Sequence, residues 1–101
     1  MQNCMDEGYS GFKMQPRGGP RLDVPRLRVA RETAGPDFPL MLDCYGQLTF
    51  RDALEIGHVL DELHFTWFEE PIPDSRIYQL KKLAQELRTP VIAGETITPW
   101  K

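Results

Sequence analysis

Three carboxylates recur at a fixed interval along the chain. Asp43, Glu69 and Glu95 each lie at the end of a short apolar run, and each is 26 residues from the next. That interval is one strand-and-helix repeat, so the acids fall at the same point of successive units. Neighbouring strands lie about 4.8 Å apart, and α/β proteins bind ligands at the C-terminal ends of parallel strands. We therefore predict that the three acids share one rim of a parallel sheet.

These acids, if they converge, need a compensating charge. Three close carboxylates repel one another, and some would stay protonated at neutral pH unless a cation is bound. All-oxygen ligation favours Mg²⁺ over Ca²⁺ or Mn²⁺, and no His or Cys has the spacing of a zinc ligand. A single acid at a strand end is usually a helix cap or a solvated loop residue. The repeated interval is what favours a magnesium site formed by Asp43, Glu69 and Glu95.

Lys13 and Gln15 belong to the preceding apolar run, and their spacing of two puts both on one face of a strand. With Lys13 facing the acids, the site combines a metal with an ammonium group. Such a pair can hold a carboxylate substrate and stabilise the enediolate that forms when its α-proton leaves. Gln15 also fits an ordinary packing role.

Other polar residues near these runs have simpler explanations. Glu70 directly follows Glu69, so it is expected to face the opposite way and to be solvent-exposed or salt-bridged. His58 lies within a helix-like stretch, and His64 lies near its end, where a cation suits the helix dipole. Neither histidine is expected at the rim.

Strand-like runs and helix-like stretches alternate along the chain. The helices follow from apolar residues at three- and four-residue spacing, with Asp23 predicted to cap the first, Thr49 the second, and Asp74 or Ser75 the third. Alternating strands and helices with short loops predict a parallel sheet with right-handed crossovers. The nearly continuous apolar runs suggest strands buried on both faces. The predicted strands are residues 11–15, 39–43, 65–69 and 90–95.

Composition bounds the class of protein. The 101 residues (11.7 kDa) are 41% hydrophobic and 27% charged, which is typical of a globular chain that forms one small domain or part of a larger one. A net charge of −3 and a pI near 5.3 argue against a nucleic-acid partner. No apolar run approaches the roughly 18 residues of a membrane span. The first residues lack a secretory signal, so Cys4 and Cys44 are expected to be reduced in the cytoplasm.

The chain carries four segments in order: GYSGFKMQ at 8–15, LMLD at 40–43, WFEEP at 67–71 and IAGE at 92–95. With these segments it resembles the barrel domain of the enolase superfamily, in the branch of mandelate racemase and muconate lactonizing enzyme. The resemblance covers nearly the whole chain. It implies an α/β fold, namely a partial (β/α) TIM-type barrel of about four parallel strands with intervening helices.

The resemblance also implies roles for individual residues. Lys13 takes the first lysine position of the family's Lys-x-Lys pair, as a catalytic residue that neutralises and orients the substrate carboxylate. Asp43, Glu69 and Glu95 take the three positions that bind Mg²⁺. Gln15 and Tyr45 are expected to bind substrate.

Departures from the family pattern bear on the reaction. Gln15 stands where the family often has its second lysine, and a carboxamide cannot accept an α-proton. Racemisation needs a base on each face of the α-carbon, whereas dehydration needs one base and an acid for the leaving β-hydroxyl. Tyr45 replaces a common Asn, and residues 43–45 resemble sugar-acid dehydratases of the rhamnonate type. Arg17 either contacts the substrate's hydroxyls or is a solvated loop residue.

The length of the chain sets its place in such an enzyme. A complete barrel takes about 250 residues, so residues 1–101 are expected to be a fragment of the C-terminal barrel domain, without the capping domain or the later strands. The parent is predicted to be a Mg²⁺-dependent carbon–oxygen lyase that dehydrates sugar acids. The fragment alone is expected to be inactive, because the remaining acid/base residues belong to later strands.

Other interpretations stay open. The parent can be a racemase, an epimerase or a cycloisomerase of the same superfamily, or the chain can be a non-catalytic truncated α/β module. A phospho-receiver module would need its lysine after the last strand, whereas Lys13 lies in the first. The expected partners are a small sugar-acid carboxylate and, for the parent, further copies of itself, with no nucleic acid and no membrane.

Overall fold

Strands and helices alternate through the chain as the sequence predicts. The computed structural model describes residues 11–73, 75–93 and 96–99, and for 93 and 96–99 it describes the backbone alone. None of the described helices has both the length and the apolar character needed to cross a membrane. The elements are β1 (Phe12–Met14), α1 (Pro20–Ala34), β2 (Leu40–Asp43), α2 (Phe50–Glu62), β3 (Trp67–Glu69), α3 (Ile77–Glu86), β4 (Val91–Ala93) and β5 (Thr96–Pro99).

The strands form one sheet in chain order, from β1 to β5. Strands β1 to β4 pair in parallel, which confirms the predicted α/β fold with four parallel strands. Strand β5 was not predicted, and it pairs with β4 in the antiparallel direction. Only two residues separate β4 from β5. A connection that short can join antiparallel strands, whereas a parallel neighbour needs a crossover of a dozen residues or more.

The two faces of the sheet differ in burial. Side chains of one face, including Met14, Leu42 and Phe68, are buried in a core shared with α1, α2 and α3. On the opposite face Lys13 is exposed and Trp67 is half-buried. The prediction that the strands are buried on both faces is therefore wrong: only the face covered by the helices is fully buried. The other side carries the polar residues that the sequence singled out.

The helix starts test the predicted caps. For α3 the N-cap is Arg76 rather than Ser75, and Asp74 lies outside the described residues. Thr49 is the N-cap of α2, and its hydroxyl accepts a hydrogen bond from the Asp52 N–H at 3.1 Å, which confirms that prediction. The prediction that Asp23 caps α1 is wrong, because the helix begins at Pro20 after Gly19. Proline suits a first helical position, since the N–H that it lacks would have no partner within the helix.

Candidate functional site

Asp43 and Glu69 lie side by side at the C-terminal ends of β2 and β3. They are register partners in the parallel ladder, and strand alternation puts both carboxylates on the face that the helices leave uncovered. Asp43 is 4% exposed, and the Glu69 side chain is 22% exposed. The structure thus brings together two of the three predicted ligands. Glu95, the third, lies outside the described residues.

Lys13 reaches these acids from β1. Its register partner on β2 is Met41, two residues before Asp43. The Lys13 backbone therefore lies nearer the N-terminal end of the sheet than the two acids do. The long side chain spans that distance: Nζ lies 3.4 Å from Asp43 Oδ2 and 3.5 Å from Glu69 Oε1. Lys13 therefore stands between both carboxylates, with 43% of its side chain exposed.

The charge state of Lys13 follows from these neighbours. Burial of the ammonium group lowers the pKa of Lys13, but the charges of Glu69 and Asp43 and their hydrogen bonds outweigh burial and leave the pKa above its ordinary value. Lys13 is therefore a cation at neutral pH. It can neutralise and orient an anionic group, but it is not suited to accept a proton.

Trp67 holds the Glu69 carboxylate, a contact that the sequence analysis missed. The indole Nε1–H donates to Glu69 Oε1 at 3.1 Å in a partly buried setting. The signal was present in the sequence, because residues two apart on a strand share a face. The apolar ring of Trp67 is also typical of a packed strand residue, and that pattern does not indicate a partner for its N–H.

A tight loop follows β2 and fixes Asp43. The Tyr45 N–H donates to Asp43 Oδ1 at 3.2 Å, and the Gly46 N–H donates to the Glu70 carbonyl at 2.7 Å. Tyr45 (φ 54°) and Gly46 (φ 72°) both have left-handed backbone conformations. A Cβ at Gly46 would lie 3.3 Å from Pro73 Cα, so glycine allows the close approach of these two loops.

Gln15 and Tyr45, the predicted substrate-binding residues, meet above this loop. Gln15 Nε2 donates to the Tyr45 hydroxyl at 2.8 Å, and both side chains are exposed. Gln15 is two residues beyond Lys13, so strand alternation continues the same face toward the strand end. The pair forms a polar wall beside Lys13 and Asp43.

The segment after β1 is held by an ion pair between a buried carboxylate, Asp23, and the partly exposed Arg26. Asp23 is fully buried, and its carboxylate accepts hydrogen bonds from the Arg17 N–H at 2.7 Å and the Gly19 N–H at 3.0 Å. Arg26 Nη1 donates to Asp23 Oδ1 and to the Gln15 carbonyl, both at 3.0 Å. Asp23 thus organises the loop before its helix. The Arg17 side chain is exposed.

The remaining predicted residues lie elsewhere. His58 is within α2, and His64 lies in the turn between α2 and β3, at the opposite end of the sheet from the acids. Glu70 has a left-handed backbone (φ 46°), and its N–H donates to the Ile92 carbonyl at 2.7 Å. Its side chain is half-buried.

The donors at this rim suit a hard cation. Asp43 and Glu69 offer carboxylate oxygens from adjacent strands, which is the ligand type that Mg²⁺ prefers. Within the described ranges, no group of three or more His, Cys, Asp or Glu side chains could hold a metal. Two of the three expected ligands are in place, and Lys13 provides a positive charge beside them.

Known proteins match most of the chain. A family model described as enolase C-terminal domain-like matches residues 1–101. An L-talarate/galactarate dehydratase of Salmonella typhimurium strain LT2 is 33% identical over 95% of this chain and 24% of its own length. An arabinonate dehydratase of Saccharolobus solfataricus is 38% identical over 93% of this chain and 26% of its own. The chain thus spans about a quarter of the length of these curated relatives.

Solved structures and further relatives show the range of activities on this fold. A D-glucarate dehydratase from Agrobacterium tumefaciens, complexed with magnesium, superposes with a TM-score of 0.85 at 30% identity over 92% of this chain and 26% of that one. A D-Ala-D/L-Ala epimerase of Cytophaga hutchinsonii is 30% identical over 88% of this chain and 24% of its own length. A D-galactarolactone cycloisomerase of Agrobacterium fabrum also matches, at 29% identity. Similar proteins therefore include dehydratases, an epimerase and a cycloisomerase.

Proposed function

The chain belongs to the enolase C-terminal domain-like family, and from that premise we propose that it is part of a Mg²⁺-dependent enzyme that removes the α-proton of a carboxylate substrate. The finer proposal is a carbon–oxygen lyase that dehydrates a sugar acid. Its support is the similarity to two sugar-acid dehydratases among the curated relatives. Residues 1–101 would be a segment of the barrel domain, since the chain spans about a quarter of those relatives.

One observation carries this proposal: Lys13 stands between Asp43 and Glu69 on the uncovered face of the sheet. Asp43, Glu69 and Glu95 would hold the metal. A bound Mg²⁺ would supply positive charge beside the substrate carboxylate and so stabilise the enediolate that forms when the α-proton leaves.

The chain's own residues would bind and orient the substrate. The Lys13 ammonium group would pair with a carboxylate oxygen of the substrate. Gln15 and Tyr45 form a polar wall whose amide and hydroxyl can hydrogen-bond to sugar hydroxyls. The base that takes the α-proton and the acid that protonates the leaving β-hydroxyl would come from other parts of the enzyme.

Gln15 favours dehydration over racemisation. It follows Lys13 at the spacing that keeps both residues on one face, and its carboxamide cannot take up a proton from carbon. An enzyme that inverts a stereocentre needs a base on each side of it, whereas elimination of water needs a base on one side. The second candidate is a racemase or epimerase with a base on each face of the α-carbon. Its support is the epimerase among the relatives.

The test uses the full-length protein that contains this chain. It is incubated with Mg²⁺ and a panel of mono- and dicarboxylic sugar acids in ²H₂O, and products are followed by NMR and by detection of 2-keto acids. We expect a 2-keto-3-deoxy acid and the release of water from at least one substrate. Deuterium at the α-carbon with inversion and no 2-keto acid would instead establish the epimerase alternative.

Variants connect that activity to the site. Lys13→Met and Glu69→Gln are expected to abolish turnover, while Lys82→Met, on the exposed side of α3, is the matched control that keeps it. If Lys13→Met retains full turnover, Lys13 does not bind the reacting carboxylate, and the proposed role of this site is wrong.

A further inference from the structure

We propose that Trp67 is a positioning residue for Glu69, whose carboxylate it holds by one oxygen so that the other is directed toward the cation. The inference rests on the proposed function, in which Glu69 is a magnesium ligand. Trp67 would then have a functional role in addition to packing on β3.

The geometry of β3 makes this contact local and well defined. Trp67 and Glu69 are two apart on a three-residue strand, so both side chains leave the same face. The indole has a single donor, Nε1–H, and it accepts nothing. This N–H donates a hydrogen bond to Glu69 Oε1 at 3.1 Å. The ring itself lies in register with Met41 of β2, on the face that also carries Lys13.

Both acids contact Lys13, but Asp43 also accepts from a backbone N–H, whereas the second donor to Glu69 is the Trp67 side chain. Asp43 is 4% exposed and accepts from the Tyr45 backbone N–H, a donor that every residue type at position 45 except proline would retain. Glu69 has a longer and more exposed side chain, and its other contact on Oε1 is Lys13 Nζ at 3.5 Å. The Trp67 bond is the shorter of the two, and hydrogen bonds to an ionised acceptor are the stronger kind.

The consequence is an effect of Trp67 on metal affinity. Hydrogen-bond partners of metal ligands orient the ligands, and their loss typically weakens metal binding 10- to 100-fold. Removing the indole N–H frees the Glu69 carboxylate to adopt other rotamers. Each rotamer that points away from the site reduces the fraction of protein with its ligands in place.

The experiment measures binding of Mn²⁺ alone to the full-length protein, from the EPR signal of the free ion. Trp67→Phe keeps an aromatic ring without a donor, and we expect its Mn²⁺ affinity to fall about 10-fold. Incorporation of β-(3-benzothienyl)alanine at position 67 replaces the N–H by sulfur in a ring of the same shape, and it is expected to give the same loss. Met41→Leu is the matched control: it changes packing beside Trp67 but removes no donor, so affinity should stay unchanged.

The outcomes separate this inference from the proposed function. If the parent protein binds no Mn²⁺, the proposed metal site is wrong, and the role of Trp67 falls with it. If the parent protein binds Mn²⁺ and the benzothienyl variant binds it equally well, Glu69 needs no positioning donor and this inference alone is overturned. The benzothienyl variant also settles the question if Trp67→Phe does not fold, because it preserves the shape of the ring.

Discussion

The two ends of the parallel sheet are built on different principles. At the C-terminal rim, which consists of Lys13, Gln15, Asp43, Tyr45 and Glu69, the ammonium group and the carboxylates meet at 3.4 and 3.5 Å. At the N-terminal rim, formed by the loops that lead into β2, β3 and β4, charged groups make shorter bonds to the backbone. In barrels of this class the C-terminal face carries the active site, and the opposite face contributes to stability.

Arg31 shows how the N-terminal rim is held. Its guanidinium group donates to four backbone carbonyls at 2.7 to 3.2 Å, and it lies 5.8 Å from the centre of the Phe65 ring. These bonds join the end of α1 to the loops before β2 and β3. The carbonyls belong to Gly35, Phe38, Leu63 and His64.

Asp61 does the same for the loop before β4. Its carboxylate accepts from the backbone N–H groups of Arg88 and Thr89 and from the Thr89 hydroxyl, at 2.6 to 3.1 Å. The polar groups of this rim thus satisfy one another within the chain. At the C-terminal rim the contacts of Lys13 with Asp43 and Glu69 are longer, at 3.4 and 3.5 Å.

The largest effect that separates the two rims is expected from Glu69→Gln. The amide keeps the size of the side chain and can still accept from Trp67, but it lacks the charge that binds a cation. We expect Mn²⁺ affinity to fall about 100-fold or more, since losing a ligand should exceed losing a partner of that ligand. The free energy of unfolding should change by less than about 1 kcal/mol. Calorimetric titration and urea unfolding of the full-length protein measure the two quantities.

A large loss of stability in Glu69→Gln would mean that the C-terminal rim has a structural role like that of the N-terminal rim. Unchanged Mn²⁺ affinity would remove Glu69 from the metal site.

The converse effect is expected from Arg31→Met. The substitution keeps the aliphatic stem but leaves four carbonyls without their donor, and we expect unfolding to become easier by about 3 kcal/mol. Metal affinity of the folded protein should stay the same. Arg31→Lys should recover only part of the stability, since one ammonium group cannot reproduce the geometry of the guanidinium donors.

The matched control for Arg31 is Arg28→Met, on the same helix. Arg28 forms an exposed ion pair with Glu62 at 2.7 Å, and exposed pairs contribute little to stability. We expect no measurable change. Equal destabilisation by both variants would mean that the four hydrogen bonds of Arg31 to backbone carbonyls contribute no more to stability than an exposed ion pair does.

A smaller effect with a definite pH dependence is expected from Asp61→Asn. Burial raises the pKa of Asp61, but hydrogen bonds from Thr89 and Arg88 and the charge of His58 outweigh burial, so the pKa lies below its ordinary value. The amide should cost about 1 kcal/mol of stability at neutral pH. A lowered pKa stabilises the folded state above the unfolded-state pKa of about 4, and this contribution disappears as the pH falls through the folded-state value.

The stability difference between the parent protein and Asp61→Asn should therefore shrink below about pH 4. Urea unfolding at neutral and acidic pH checks this trend, with Thr89→Val as the control that removes one donor but keeps the titrating group. A difference that grows on acidification would contradict the lowered pKa.

The sequence predicts the C-terminal rim better than the N-terminal rim. Asp43 and Glu69 could be found because strand ends repeat at a fixed interval and alternation assigns a face. The Thr49 cap could be found because its partner lies three residues away. The bonds of Arg31 join residues up to 33 positions apart, and those of Asp61 join residues 27 and 28 apart. No local pattern indicates which loop carbonyl or N–H will face these side chains.

Asp23 and Trp67 show two other limits. Asp23 has the residue type of an N-cap, but Pro20 begins the helix, and the buried carboxylate accepts from N–H groups upstream of it instead. The preference for a cap residue competes there with the preference for proline in the first turn. The apolar ring of Trp67 fits a strand equally well with or without a partner for its N–H, so the sequence does not indicate the bond to Glu69.

The smallest expected effect tests whether the C-terminal rim extends beyond its charged residues. Tyr45→Phe removes the hydroxyl that accepts from Gln15 at 2.8 Å. Both side chains are exposed, so water can replace the lost partner, and stability should change by less than about 0.5 kcal/mol. If the hydroxyl contacts substrate, KM should rise about 5-fold with kcat nearly unchanged, as expected for loss of one hydrogen bond formed equally in the ground and transition states.

Tyr78→Phe is the control, because Tyr78 is 83% exposed on α3 and no part of either rim. Steady-state kinetics of the full-length protein on its best sugar acid measure both variants. A raised KM in Tyr45→Phe alone would place the Gln15–Tyr45 pair in the binding surface. Unchanged KM together with a clear loss of stability would show instead that Gln15 and Tyr45 bind each other for stability, as the residues of the N-terminal rim do. The proposed ligand-binding part of the C-terminal rim would then be confined to Lys13, Asp43 and Glu69.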